Sequence, residues 1–127
     1  MTDKDILIEL ESQKRSVKAL SAVFEMCDRK PKCVEERVLQ AYIRHHGATD
    51  ASKVLNDEGL RLKSEKGERK YYSSDITGLI RDDSTKEKVS PDLMELTLFM
   101  CTRGQRYTGW TQRLVEGYYK TIENGDV

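Results

Sequence analysis

Between Arg61 and Lys70, five basic side chains (Arg61, Lys63, Lys66, Arg69 and Lys70) stand against two acidic ones, Glu65 and Glu68. The chain as a whole is balanced, with 22 Lys+Arg and 22 Asp+Glu. Zero net charge argues against a polycationic binder, so contact with nucleic acid must come from a local patch of this kind. A second constellation, Cys27, Cys33, His45 and His46, holds metal-ligand residue types. Its spacing has no second cysteine pair and is not that of a zinc finger or ribbon, so no metal is assigned. Cys27 reads instead as a core residue, and the two histidines as an exposed helix end, where a positive charge suits the helix dipole. A third group, Tyr107, Trp110, Tyr118 and Tyr119 with Arg103, Arg106 and Arg113, has the types that stack on single-stranded nucleic acid or anchor a protein partner. Aromatics at helical spacing more often form core. No phosphate loop, nucleotide fingerprint or nucleophile elbow is present. No catalytic residue and no cofactor is assigned, and the chain reads as a binding protein, not an enzyme.

Composition sets the frame for these groups. A chain of 127 residues is most simply one domain, or one domain with a helical extension. Charged residues make up 35% and apolar residues 37%, and the two are interspersed, which points to well-solvated helices, not disorder. Three cysteines without a CxxC fit a reducing cytosol better than a disulfide scaffold. The start lacks an apolar signal region, and no run approaches a membrane span, so a cytoplasmic protein with no membrane association is expected.

The periodicities predict an all-α fold of about six helices. Asp3 to Arg29 reads as one long helix capped by Thr2 or Asp3. Ile6, Leu10, Val17, Leu20 and Phe24 form a heptad seam in it, with Gln13 as a polar member and Cys27 as its last position. Two readings of residues 1–30 stay open: a coiled coil joining two copies, or packing of the seam on the rest of the domain. Leu7, Ile8, Ala19, Ala22 and Val23 widen the apolar face. Val34 to His46 is a second helix with Val34, Val38, Leu39, Tyr42 and Ile43 inward, closed by Gly47 as a left-handed cap. Thr49 or Asp50 caps a third, Ala51 to about Glu58, with Ala51, Val54 and Leu55 inward and Gly59 as its stop. Leu60 to Tyr72 is either a small β-wing turning around Lys66-Gly67 or an extended loop. Ser73 or Ser74 caps a fourth helix, Asp75 to Asp82. Asp83 to Val89 reads as a polar connector. Ser90-Pro91-Asp92 starts a fifth helix, apolar on much of its circumference, which implies deep burial or a subunit interface. Arg103-Gly104 ends it. Thr108 begins the last helix, Gly109 to Glu123, and Asn124-Gly125 stops it, so that residues 90–123 form a C-terminal helical pair.

The stretch from Ala48 to Asp83 carries a more specific pattern. Leu55-Asn56 is followed by Gly59-Leu60-Arg61, then Gly67, Tyr71, Ser74, Ile76 and Leu79-Ile80. This order resembles the small helix-turn-helix module of large serine recombinases and related phage and plasmid proteins, over about a quarter of the chain. The resemblance implies a trihelical unit, Val34 to Asp83, whose last helix lies in the major groove of duplex DNA. On that implication Ser73, Ser74, Thr77 and Arg81 are base contacts, and Arg61, Lys63, Lys66, Arg69 and Lys70 are phosphate contacts. Two departures stand out. Family members usually carry basic residues where Thr77 and Gly78 stand, and Asp75 and Asp82 on the same helix would repel phosphate. No recombinase catalytic domain accompanies the module, so recombination is not implied.

Together these features predict a sequence-specific DNA-binding protein, a small regulator or accessory factor of mobile-element type, acting as a homodimer on a two-fold site. The alternative is a protein-protein adaptor or inhibitor working through Leu93–Cys101 and Trp110–Ile122, which zero net charge favours.

Overall fold

A computed structural model describes residues 2–102 and 109–123. Six α-helices lie among them: α1 (Asp3–Asp28), α2 (Val34–Arg44), α3 (Ala48–Asp57), α4 (Ser73–Arg81), α5 (Pro91–Thr102) and α6 (Trp110–Gly117). Two short strands, β1 (Leu62–Ser64) and β2 (Gly67–Arg69), form an antiparallel hairpin between α3 and α4. The fold is all-α with a small β-wing. Arg103-Gly104, Arg106, Tyr107, Thr108 and Asn124-Gly125 lie outside the described residues.

The caps follow from local chemistry. Thr2, not Asp3, opens α1: its hydroxyl accepts from the Asp5 N–H at 3.2 Å and the Asp5 carboxylate accepts from the Thr2 N–H at 3.0 Å. Each group satisfies an orphan donor of the first turn. The helix ends at Asp28, with Arg29 as its C-cap, just ahead of Lys30-Pro31. At the end of α2 the left-handed residue is His46 (φ 63), not Gly47. The Gly47 N–H reaches back to the Tyr42 carbonyl at 3.0 Å, which closes a Schellman-type turn with His46 in the strained position. Gly47 (φ 118) is then free to open α3, which begins at Ala48 and takes no cap from Thr49 or Asp50.

α5 is apolar nearly all round because it is the central helix, packed on α2, α4 and α6. Leu93, Leu96 and Met100 are sealed from solvent there, beside Val38, Leu39 and Ile43 of α2 and Leu55 of α3 in one core. Val34 is exposed, contrary to expectation. It opens the first turn of α2 on the side nearly opposite the buried Glu36. Val54 is only half-buried, and Ser52 shares the inner face of α3 with Ala51 and Leu55.

Two polar residues occupy the buried face of α2 instead. Glu36 accepts from the Lys32 N–H at 3.0 Å and from the Ser90 N–H at 2.8 Å. Gln40 donates from its amide nitrogen to the carbonyls of Met26 (3.2 Å) and Arg29 (2.9 Å), the last turn of α1. Arg29 itself forms a two-pronged pair with Asp92 at 2.7 and 3.1 Å. The ends of α1, α2 and α5 are thus joined by side chains that satisfy otherwise orphaned backbone groups.

The connector after α4 is not irregular. Asp83–Glu87 forms a 3-10 turn, in which the Thr85 hydroxyl donates to the Leu79 carbonyl at 2.7 Å and is buried there. The last helix is α-helical only from Trp110 to Gly117 and continues as a wider π-helical turn, Tyr118–Glu123.

α1 packs by a different stripe from the one its heptads suggest. Ala19, Val23, Met26 and Cys27 are buried against the body, and only Cys27 belongs to the seam. Leu20 is half-buried against the core, while Ile6, Leu10, Val17 and Phe24 are 51%, 45%, 64% and 63% exposed. The seam therefore packs on the rest of the domain only through Leu20 and Cys27. The small Ala19 lets the neighbouring stripe approach closely, and Val23 and Met26 fill the space beside it.

Candidate nucleic-acid interface

The hairpin is positioned from α3. Gly59 (φ 88) takes the left-handed position after α3, and the Leu60 N–H bonds back to the Leu55 carbonyl at 3.0 Å. A side chain at Gly59 would be strained by that φ, which is why glycine stands there. Asn56 then clamps the far end of the connection. Its Nδ2 donates to the Tyr71 carbonyl at 3.0 Å and its Oδ1 accepts from the Tyr71 N–H at 2.8 Å. With both backbone groups held, Tyr71 is buried beneath α4. The Leu55-Asn56 pair was legible as a motif, but this bridging role of Asn56 was not, since it depends on a residue fifteen positions away.

Between these anchors the hairpin pairs Leu62 with Arg69, Lys63 with Glu68 and Ser64 with Gly67, so the turn is Glu65-Lys66, one residue earlier than expected. The Ser64 hydroxyl donates to the Gly67 carbonyl at 2.7 Å. The connection from α3 to α4 is much longer than the three- or four-residue turn of the DNA-binding helix-turn-helix.

The five basic residues divide into two groups. Arg61 donates to the Asn56 and Leu60 carbonyls at 3.1 and 2.7 Å, so its guanidinium caps the end of α3. Arg69 grips both oxygens of Asp75 at 2.7 Å and lies over the Tyr72 ring at 5.2 Å. Lys63, Lys66 and Lys70 are exposed and form no ion pair among the described residues. The expected repulsion from Asp75 is correspondingly changed. The Arg69 guanidinium holds the Asp75 carboxyl below its ordinary range, and the Tyr72 N–H, donating at 2.8 Å, adds to this. Asp82 accepts from the Ser84 N–H at 2.9 Å and so caps the following 3-10 turn, while keeping its charge exposed.

α4 begins one or two residues earlier than expected. Tyr72 is its N-cap, and neither Ser73 nor Ser74 caps it, because Asp75 from the third position already bonds the Tyr72 N–H. Both serines are helical and exposed. Ile76 and Ile80 are buried on the inner side. At about 100° per residue, Ser73, Ser74, Thr77 and Arg81 fall within about 100° of one another, on one outer face. Ser73, Ser74 and Arg81 are open to solvent, whereas Thr77 is half-buried and its hydroxyl donates to the Ser73 carbonyl at 3.2 Å.

The other candidate groups are accounted for within the fold. Cys27 is in the core, where burial pushes its thiol up to about 11. The Cys33 thiol donates to the Lys88 carbonyl at 3.3 Å. No three His, Cys, Asp or Glu side chains gather as a metal-binding group among the described residues. Tyr118 and Tyr119 are buried, edge to face at 5.0 Å. The Trp110 indole N–H donates to the Ile43 carbonyl at 3.0 Å, its ring is edge-on to Tyr42 at 5.6 Å, and His46 stacks on it at 5.8 Å. Arg113 is buried and donates to the Met100 carbonyl at 3.0 Å. The surface expected for an adaptor, Leu93–Cys101 with Trp110–Ile122, is thus largely interior. Among the described residues no helix is long and apolar enough to cross a membrane.

Comparison with known protein families, curated proteins and solved structures finds no match to this chain.

Proposed function

We propose that this chain binds double-stranded DNA, as a small regulator or accessory factor of the kind mobile elements carry, and catalyses no reaction on it. One observation carries the reading. The outer face of α4 presents Ser73, Ser74 and Arg81 directly after a hairpin whose Lys63, Lys66 and Lys70 have no ion-pair partner among the described residues. Hydroxyls and a guanidinium on a helix face can bond base edges, and lysines on a projecting hairpin can reach phosphates on either side. Arg61 and Arg69 take a supporting role: they hold the hairpin on α3 and α4 and leave the three lysines to make the phosphate contacts.

The test is a titration of duplex DNA at low and moderate salt, followed by selection of bound sequences from a random pool. Salt-sensitive binding with an enriched site supports the reading. Lys63→Gln/Lys66→Gln/Lys70→Gln then lowers the salt slope by close to one for each lysine that touches a phosphate. Arg81→Ala relaxes preference at one base position. Absence of binding even at low salt would remove DNA as the ligand.

A further inference from the structure

The turn between α2 and α3 sets a histidine beside an apolar groove. His46 alone among the described non-glycine residues has a positive φ, in the left-handed position that glycine more commonly fills. Its ring lies nearly parallel to that of Trp110, at 13° and 5.8 Å between centroids. Trp110 is fixed in turn by its bond to the Ile43 carbonyl and its edge contact with Tyr42. The stack therefore joins the end of α2 to the start of α6 as a preset wall.

That wall bounds a groove of about 220 Å³ between α1, the end of α2 and α6. Phe24, Ile43, Trp110 and Leu114 supply its apolar surface, and Arg44, His46 and Thr111 its polar edge. Phe24 is largely exposed, so an occupant of the groove would cover an apolar ring that the fold leaves to solvent. The groove is smaller than the roughly 300–1,000 Å³ of sites for drug-sized ligands, and so suits a shorter molecule.

The charges around it set the chemistry of that molecule. A second hollow, of about 450 Å³, shares Arg44 and His46 with the groove and is lined further by His45, Asp50, Lys53 and Val54. The side chains of Arg44 and Lys53 are exposed and form no hydrogen bond or ion pair among the described residues. Asp50 is the single acid lining either hollow, and it pairs with neither cation. A guanidinium matches a carboxylate with two parallel bonds. We propose that the groove binds a small amphipathic carboxylic acid. Its apolar part lies against Phe24, Trp110 and Leu114, and its carboxylate meets Arg44, with His46 and Lys53 alongside. None of these residues belongs to the hairpin or to α4, so the site stands apart from the nucleic-acid reading.

Trp110 is the only tryptophan in the chain, so its emission reports the groove directly. The experiment titrates octanoate into the full chain without DNA, with octanol as the uncharged counterpart of the same length. A saturable change with a Kd of about 1 mM is expected for octanoate, as suits a ligand of this size, and weaker binding for octanol. Arg44→Gln/Lys53→Gln, at exposed positions, lowers octanoate affinity about fivefold. Thr111→Phe, also at an exposed position, fills the groove and abolishes the response. Circular dichroism of both variants stays that of the wild type. No saturable response to octanoate overturns the proposal. So does octanol binding as tightly as octanoate, or an affinity that Arg44→Gln/Lys53→Gln leaves unchanged, since either shows a groove that does not select an acid. Binding retained by Thr111→Phe would overturn it as well, by placing octanoate elsewhere, such as the exposed apolar stripe of α1.

Discussion

The Ser90 N–H donates to the buried carboxylate of Glu36 at 2.8 Å, tying the start of α5 to the first turn of α2 across most of the module between them. Glu36 is sealed from solvent, and the Lys32 N–H fills its other oxygen. Burial raises its carboxyl pKa, but the bonds from Ser90 and Lys32 and the charge of Arg29 outweigh that and hold it below the ordinary 4.5. A carboxyl held down in the folded state adds stability above its unfolded pKa and loses it as pH falls through the folded one. The urea midpoint should therefore drop as pH falls below about 4.5, the unfolded-chain value for a glutamate. Glu36→Gln should cost about 2 kcal/mol at pH 7 and flatten that acid limb. An unchanged acid limb in the variant would show that other carboxylates govern it.

Asp75 neutralises Arg69 and caps α4 at once. Asp75→Asn keeps an oxygen for the Tyr72 N–H but removes the charge. Stability should fall by about 1 kcal/mol, while DNA affinity at low salt rises because Arg69 is released towards phosphate. Thermal melts and DNA titration measure the two effects separately. Weaker DNA binding at unchanged stability would count against phosphate near this end of α4.

Gly78 is exposed in the middle of α4, and a Cβ there would meet nothing within 4 Å. Packing does not demand glycine. Gly78→Ala should stabilise the fold by about 0.5–1 kcal/mol, seen as a higher urea midpoint.

Gly117 is the contrasting case. A Cβ there would stand 2.8 Å from both Leu96 Cδ1 and Phe99 Cδ1. Gly117→Ala should destabilise by about 1–3 kcal/mol despite its better helix propensity, because the buried Leu96 and Phe99 side chains must shift to admit the methyl group. A neutral or stabilising result in urea would mean that Leu96 and Phe99 repack freely.

Trp110 is anchored to the body by one polar bond. Trp110→Phe keeps an aromatic ring against Tyr42 and His46 but leaves the Ile43 carbonyl without the indole donor. A loss of about 1 kcal/mol is expected in urea titration.

What the sequence alone determined is local. The helix of Asp3–Asp28, the stop at Gly59 and the start at Ser90-Pro91 all follow from periodicity, capping chemistry and turn residues acting over a few positions, whereas Leu60 to Tyr72 read equally as a hairpin or a loop. Tertiary structure decided which groups those elements spend on one another. Two stripes on α1 were both apolar enough to pack, and only the shape of the body chose Ala19 and Val23 over Val17 and Phe24. Five basic residues looked alike in the chain, yet Arg61 and Arg69 are taken up by the Asn56 carbonyl and by Asp75, while the three lysines are not. Nothing in the local pattern marks Glu36 and Gln40, yet they sit where the ends of α1 and α5 leave backbone groups without partners. The physical reason is common to all three. Helix-forming tendency is set by near neighbours, whereas a buried hydrogen bond or ion pair depends on which distant backbone end the fold brings alongside.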